Sequence, residues 1–150
     1  MKLTFGKYKG TEARKLLFDD PAYVRWLLGE SGASGGMLAA QKEFTRLIAA
    51  LDKKPFAGDC AGGCKQPATR ASAYANSPTL FSWCDDCDPY SKGALPGKLR
   101  TVRTYADAER HVNLTAEGHR ATLKAIIREL AMEKGMAKRF TASALAAFLP

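Results

Sequence analysis

The stretch CAGGCKQPATRASAYANSPTLFSWCDDC, residues 60–87, holds every cysteine of the 150-residue chain. Its pattern is Cys60-x3-Cys64, nineteen residues, then Cys84-x2-Cys87. Cysteine pairs separated by two to four residues let both sulfurs reach one ion, and zinc favours tetrahedral thiolate coordination. Each pair needs a tight turn. Gly62 and Gly63 supply the backbone freedom in the first, while Asp85 and Asp86 are turn-compatible in the second. Between the pairs, Thr69 to Tyr74 and Thr79 to Trp83 read as short strands, with Asn76-Ser77-Pro78 as their turn. The stretch therefore predicts a four-cysteine zinc ribbon: one zinc ion (Zn2+) held by Cys60, Cys64, Cys84 and Cys87. Four thiolates leave no position for water, so the ion is expected to be structural. Two readings compete. One is four unrelated buried cysteines. The other is a redox dithiol at Cys84 and Cys87, which wants a strand-to-helix setting where Pro89 stands instead.

Outward from the ribbon the pattern turns helical. Met37 to Lys54 predicts an amphipathic helix with Met37, Phe44, Leu47, Ile48 and Leu51 in one stripe, ended by Pro55. Before it, Ser31–Gly36 reads as a hinge or a surface loop. Asp20-Pro21 marks a helix start, with Val24, Leu27 and Leu28 on one face and Gly29 as its stop. Leu3 to Gly10 predicts a strand and a tight turn. On the other side, Ser91 to Arg103 reads as a basic loop and Tyr105 to His111 as a short helix. Thr115 to Lys134 predicts a helix capped by Thr115, with Leu123, Ile126, Ile127 and Leu130 on its apolar face and Gly135 at its end. Thr141 caps a last helix whose Leu145, Phe148 and Leu149 point to the core. The expected class is α+β: a hairpin-helix module over 1–54, the zinc ribbon over 55–90, and a basic loop with helices over 91–150. The same pattern also suits one compact domain.

The formal charge is +8 and the pI about 9.5. A basic chain of this size is drawn to polyanions, nucleic acid first among them, although a merely solvated lysine-rich surface has the same composition. The charge is uneven. Residues 1–54 hold ten Lys/Arg against six Asp/Glu, residues 55–90 two against four, and residues 91–150 eleven against five. The cysteine segment is thus the acidic part, and its knuckles are poor phosphate grips. No apolar run approaches the roughly 18 residues of a membrane span, and Met1–Lys7 has no leader-like apolar stretch. A cytoplasmic, reducing setting is expected, where paired cysteines read as a metal site sooner than as disulfides.

Patterns for catalysis are missing. His111 and His119 lie outside any H-E-x-x-H or H-x-E motif, no G-x-S-x-G elbow occurs, and Asp19-Asp20 and Asp85-Asp86 have no third acid for a two-metal centre. A non-enzymatic protein is expected.

Phe5-Gly6-Lys7-Tyr8-Lys9-Gly10, followed by Asp20-Pro21-Ala22-Tyr23-Val24-Arg25-Trp26-Leu27-Leu28, resembles the small C-terminal module that follows the nuclease domain of exodeoxyribonuclease X-like proteins. Val24 stands where that module usually has Leu. The resemblance covers residues 3–29 and implies an accessory role, with nucleic-acid contact, and not nuclease activity. Lys7 and Lys9 share one face of a strand and could neutralise phosphates. A competing reading makes Tyr8 and Trp26 core and leaves the lysines solvated.

Two functions follow. In the first, the chain binds nucleic acid, DNA ahead of RNA, through Lys7 and Lys9, through Lys92, Lys98, Arg100 and Arg103 of the basic loop, and through Arg70 reaching a base edge. In the second, it is a zinc-stabilised interaction subunit of a nucleoprotein complex, phage-borne or CRISPR-type, docking through Leu145, Phe148 and Leu149. A helix-turn-helix over 115–149 is a third arrangement, with a long turn at 134–141.

Overall fold

Asp20 sets where the N-terminal helices break. The residue before a proline is pushed out of the helical region, and Asp20 sits at φ −143° and ψ 69°. The chain therefore forms two helices, α1 (Ala13–Asp19) and α2 (Pro21–Gly29). The Asp20 carboxylate accepts the Tyr23 N–H at 3.1 Å, capping α2, while Pro21 fills its first turn without wasting a donor. Helix α1 was not expected from the sequence. Glu12 at its N-cap makes no side-chain cap bond, and Leu16, Leu17 and Phe18 form an unbroken buried run with no amphipathic signature.

In this computed structural model, residues 1–75, 77–89 and 99–150 are described. The expected N-terminal strand shrinks to an isolated bridge between Lys2 and Glu12, closed by Leu3 N–H to Thr11 O (3.0 Å) and Gly10 N–H to Leu3 O (2.8 Å). Helix α3 (Gly35–Lys53) follows the predicted amphipathic stripe, with Phe44, Leu47 and Leu51 fully buried. Its start presses on the N-terminal segment: a Cβ at Gly36 would stand 2.2 Å from Thr4 Oγ1.

The sheet has the order β2-β1-β3, with β1 (Arg70–Tyr74), β2 (Leu80–Trp83) and β3 (Leu99–Val102) all antiparallel to their neighbours. Strands β1 and β2 are the predicted pair. Strand β3 falls in the stretch expected to be a loop. Its register pairs Val102 with Ala71 and Arg100 with Ala73, so a short β-branched segment gains order by completing the sheet. Ala71, Ala73, Leu80, Ser82 and Val102 are buried, on one face by strand alternation.

Helix α4 (Tyr105–Ala116) opens on a capping box between Thr104 and Asp107 and outruns the predicted short helix. It ends in left-handed backbone at Glu117 (φ 52°) and Gly118 (φ 72°). Helix α5 (Arg120–Glu133) then starts later than predicted. His119 caps it, not Thr115, which lies inside α4 and donates its hydroxyl to the His111 carbonyl. Helix α6 (Ala142–Phe148) is capped by Thr141 as expected. The buried Lys134 ammonium donates to the Leu51 and Asp52 carbonyls, satisfying the end of α3. Leu3, Leu17, Phe44, Ala71, Ile127 and Leu149 all belong to one hydrophobic cluster. The class is α+β, six helices and a three-stranded sheet among the described residues.

Candidate metal centre

The first cysteine pair rides on a small loop stitched by Cys60 N–H to Gln66 O (2.8 Å) and Ala68 N–H to Gly58 O (3.0 Å). Ala61 N–H donates to Ser82 O at 2.7 Å and fastens that loop to β2. The second pair begins where β2 ends, and Asp88 N–H to Cys84 O (3.1 Å) closes its turn. These bonds bring all four sulfurs within 4.8 Å of one another, with Cys64 Sγ and Cys84 Sγ 3.6 Å apart. An ion with four bonds of about 2.3 Å in a tetrahedron sets its sulfurs about 3.8 Å apart. The cluster is thus sized to hold a metal ion.

The backbone supports the sulfurs. Gly62 N–H points to Cys60 Sγ (3.3 Å) and Cys87 N–H to Cys84 Sγ (3.4 Å). Gly62 is required by space: a Cβ there would stand 2.9 Å from Cys87 Sγ and 3.3 Å from Cys60 Sγ. The thiols pose a charge problem that a cation would solve. The Cys84 backbone N–H, then that of Gly62 and the neighbouring thiols, lower Cys60 to about 7. Hydrogen bonding to Cys64, Cys84 and Cys60 pushes Cys87 up to about 12. One thiolate forms easily and the last resists, because negative charge accumulates in one small volume. A bound dication removes that resistance.

Arg70 belongs to this centre. Its guanidinium reaches Asp85 Oδ1 (2.5 Å) and Asp88 Oδ2 (3.1 Å), on either side of Cys87, and its side chain is only 19 % exposed. From the sequence, Asp85 reads as a turn former and Asp88 only as part of the segment's acidic charge. Their spacing around Cys87, with a lone arginine on the facing strand, is the signal that could have identified the brace.

The other candidate cations scatter. Lys7 lies 3.8 Å from Asp20 Oδ2, and Lys9 is exposed in the same N-terminal turn. Arg100 is exposed on β3, and Arg103 is exposed just beyond it, its backbone N–H held by Asp107. Lys92 and Lys98 lie outside the described residues. Trp26 is half exposed rather than core. Leu145, Phe148 and Leu149 are buried in the chain's own core, which removes them as a docking surface. His111 is buried with Nε2 against the Tyr74 carbonyl at 3.0 Å, and His119 serves as a helix cap.

Compared with models of known protein families, with curated proteins and with solved structures, the chain matches none. Among the described residues, no helix is long and apolar enough to cross a membrane. What the centre can do rests on its own chemistry. Four sulfurs around a bound ion would complete a tetrahedral sphere, and such a closed sphere would stabilise structure without activating water.

Proposed function

We propose that this chain is a non-enzymatic zinc-ribbon protein that binds nucleic acid, DNA ahead of RNA. The observation that carries the reading is the cluster of four cysteine sulfurs within 4.8 Å of one another. Zinc is the ion that four thiolates in a reducing setting select, and it has no redox chemistry of its own. The resulting ribbon is a rigid mount for a short sheet, and Arg100 and Arg103 stand exposed at the edge and end of that sheet. A chain of formal charge +8 keeps a net of about +6 after four thiolates and one zinc ion are counted. That excess favours association with phosphates over most other partners. Residues 3–29, with their resemblance to the exodeoxyribonuclease X-like accessory module, support the same class of partner.

Native mass spectrometry tests the metal, with one zinc per chain expected and a metal-free folded chain as the overturning result. Duplex binding measured against salt tests the partner. Affinity should fall steeply as salt rises, and reversing Arg100 and Arg103 to Glu should flatten the slope by about two. A salt-independent interaction, or none with DNA or RNA, would refute the reading.

A further inference from the structure

Helix α2 carries an aromatic side chain that its packing does not use. Val24 and Leu27 are fully buried, yet Trp26 is 50 % exposed. Its indole is not a loose surface group. The Tyr23 ring backs it at 5.4 Å with a 42° tilt, and the Tyr8 ring meets Tyr23 edge-on at 4.8 Å. Tyr8 is pinned in turn, its hydroxyl donating to Asp20 Oδ2 at 2.5 Å. Three rings thus step from an anchored tyrosine to an open indole, and the open end is held in place by the closed one.

Cations surround the same steps. Lys7 Nζ lies 4.8 Å from the Tyr8 ring centre and 5.5 Å from that of Tyr23. Arg120 reaches Asp20 Oδ2 as well, so one buried carboxylate is shared by two exposed cations. Lys124 lines a hollow of about 360 Å³ with Tyr8, Asp20 and Arg120, and makes no ion pair among the described residues. Asp19, the other acid of that hollow, is engaged by Lys15 and Arg128. The surface around the ring stair therefore keeps an excess of positive charge.

We infer that this face is a docking platform for single-stranded nucleic acid, with a base stacked on Trp26 and neighbouring phosphates held by Lys7, Arg120 and Lys124. A rigid exposed ring gains from any base with a free face, and adjacent cations track the backbone. A duplex keeps its bases stacked and offers this ring nothing but phosphate. A protein partner fits less well, because the exposed apolar area is one side chain whose backing Tyr23 ring carries the Lys7 ammonium, whereas interface cores are depleted of charge. The inference rests on the reading that the chain binds nucleic acid, but it uses a different surface from Arg100 and Arg103.

The test uses the zinc-loaded full chain with labelled oligothymidylate and oligouridylate of about fifteen nucleotides, within the span one small module covers, and a duplex of equal length. Trp26→Ala should weaken binding to the single strands about tenfold or more, from the stacking lost per base. Trp26→Phe should restore most of it, and duplex affinity should change less than about twofold. Circular dichroism should be unchanged, since the side chain is half exposed. Equal single-strand affinity for Trp26→Ala and the parent overturns the inference. If Arg100→Glu with Arg103→Glu abolishes all binding while Trp26→Ala does nothing, the general reading survives and this one fails. The reverse pattern keeps the platform and discards the sheet edge. No binding to any of the three probes defeats both.

Discussion

The helical layer and the cysteine-bearing sheet hold their shapes by different means. In the helices, Leu16, Leu17, Phe18, Leu27, Phe44, Leu47, Ile126 and Ile127 are essentially inaccessible to solvent, large side chains that remove much apolar area from water. In the sheet, the inward positions of the central strand are Ala71 and Ala73, while Tyr74 and Phe81 remain 53 % and 42 % exposed. Alanine buries little area, and a few short strands are marginal on their own. The sheet leans on a polar seam, with Ala57 N–H donating to the Glu133 carbonyl and Ser82 Oγ–H to its carboxylate, and on the four sulfurs. Where burial runs short, a crosslinking ion can supply the difference.

On the proposed zinc reading, the largest effect should come from denying the four cysteines their ion. Cys84→Ser, or a strong chelator, should withdraw stabilisation on the order of 10–16 kcal/mol from the ribbon. Hydrogen exchange should show protection lost across residues 58–88 while α1, α2 and α3 stay protected. One shared transition for both layers would break the comparison. The converse change is Phe44→Ala, which opens a cavity in the helical layer. It should cost about 3–5 kcal/mol in urea unfolding yet leave one zinc per chain bound in the folded state.

A smaller effect separates two roles for Arg70. If its guanidinium braces the second cysteine pair through Asp85 and Asp88, Arg70→Ala should speed zinc loss to a chelator about tenfold, as changes behind metal ligands do. DNA affinity at saturating zinc should not move. A drop in affinity with normal zinc retention would return Arg70 to the base-reading role that its strand position suggests.

The smallest effect is the pH dependence that Asp20 gives the helical layer. Burial works against ionisation of Asp20, but the Tyr8 hydroxyl, the Tyr23 N–H, Arg120 and Lys7 together hold its carboxyl below the ordinary range. A lowered folded-state value means that the carboxylate contributes stability above the unfolded value of about 3.9. That contribution fades as pH falls through the lower folded value. Asp20→Asn keeps a competent cap but loses the charge. It should cost on the order of 1 kcal/mol at pH 7 and flatten the acid limb of the unfolding curve. An unchanged acid limb would place the acid sensitivity elsewhere.

Much of this was legible in the chain itself. Residue spacing pointed to the four cysteines as one group, because two-to-four-residue loops readily present paired sulfurs to a single ion. Apolar periodicity located α3, and the Asp20-Pro21 and Thr141 signals located two helix starts, since capping depends on neighbours within three residues. Tertiary structure decided the rest. Strand β3 exists because β1 offers a free edge at the right place, which no local pattern in a basic stretch announces. Helix α1 is held by burial of Leu16, Leu17 and Phe18 and not by a cap. Above all, the lysines and arginines looked equivalent as charges in the sequence. Only packing revealed that Arg70 is committed to Asp85 and Asp88, that Lys7 and Arg120 share one carboxylate, and that Trp26 stays open to solvent. The reason is physical. Caps and metal-binding loops are short-range and written in neighbouring residues, whereas the availability of a charge or a ring depends on groups brought to it from distant parts of the chain.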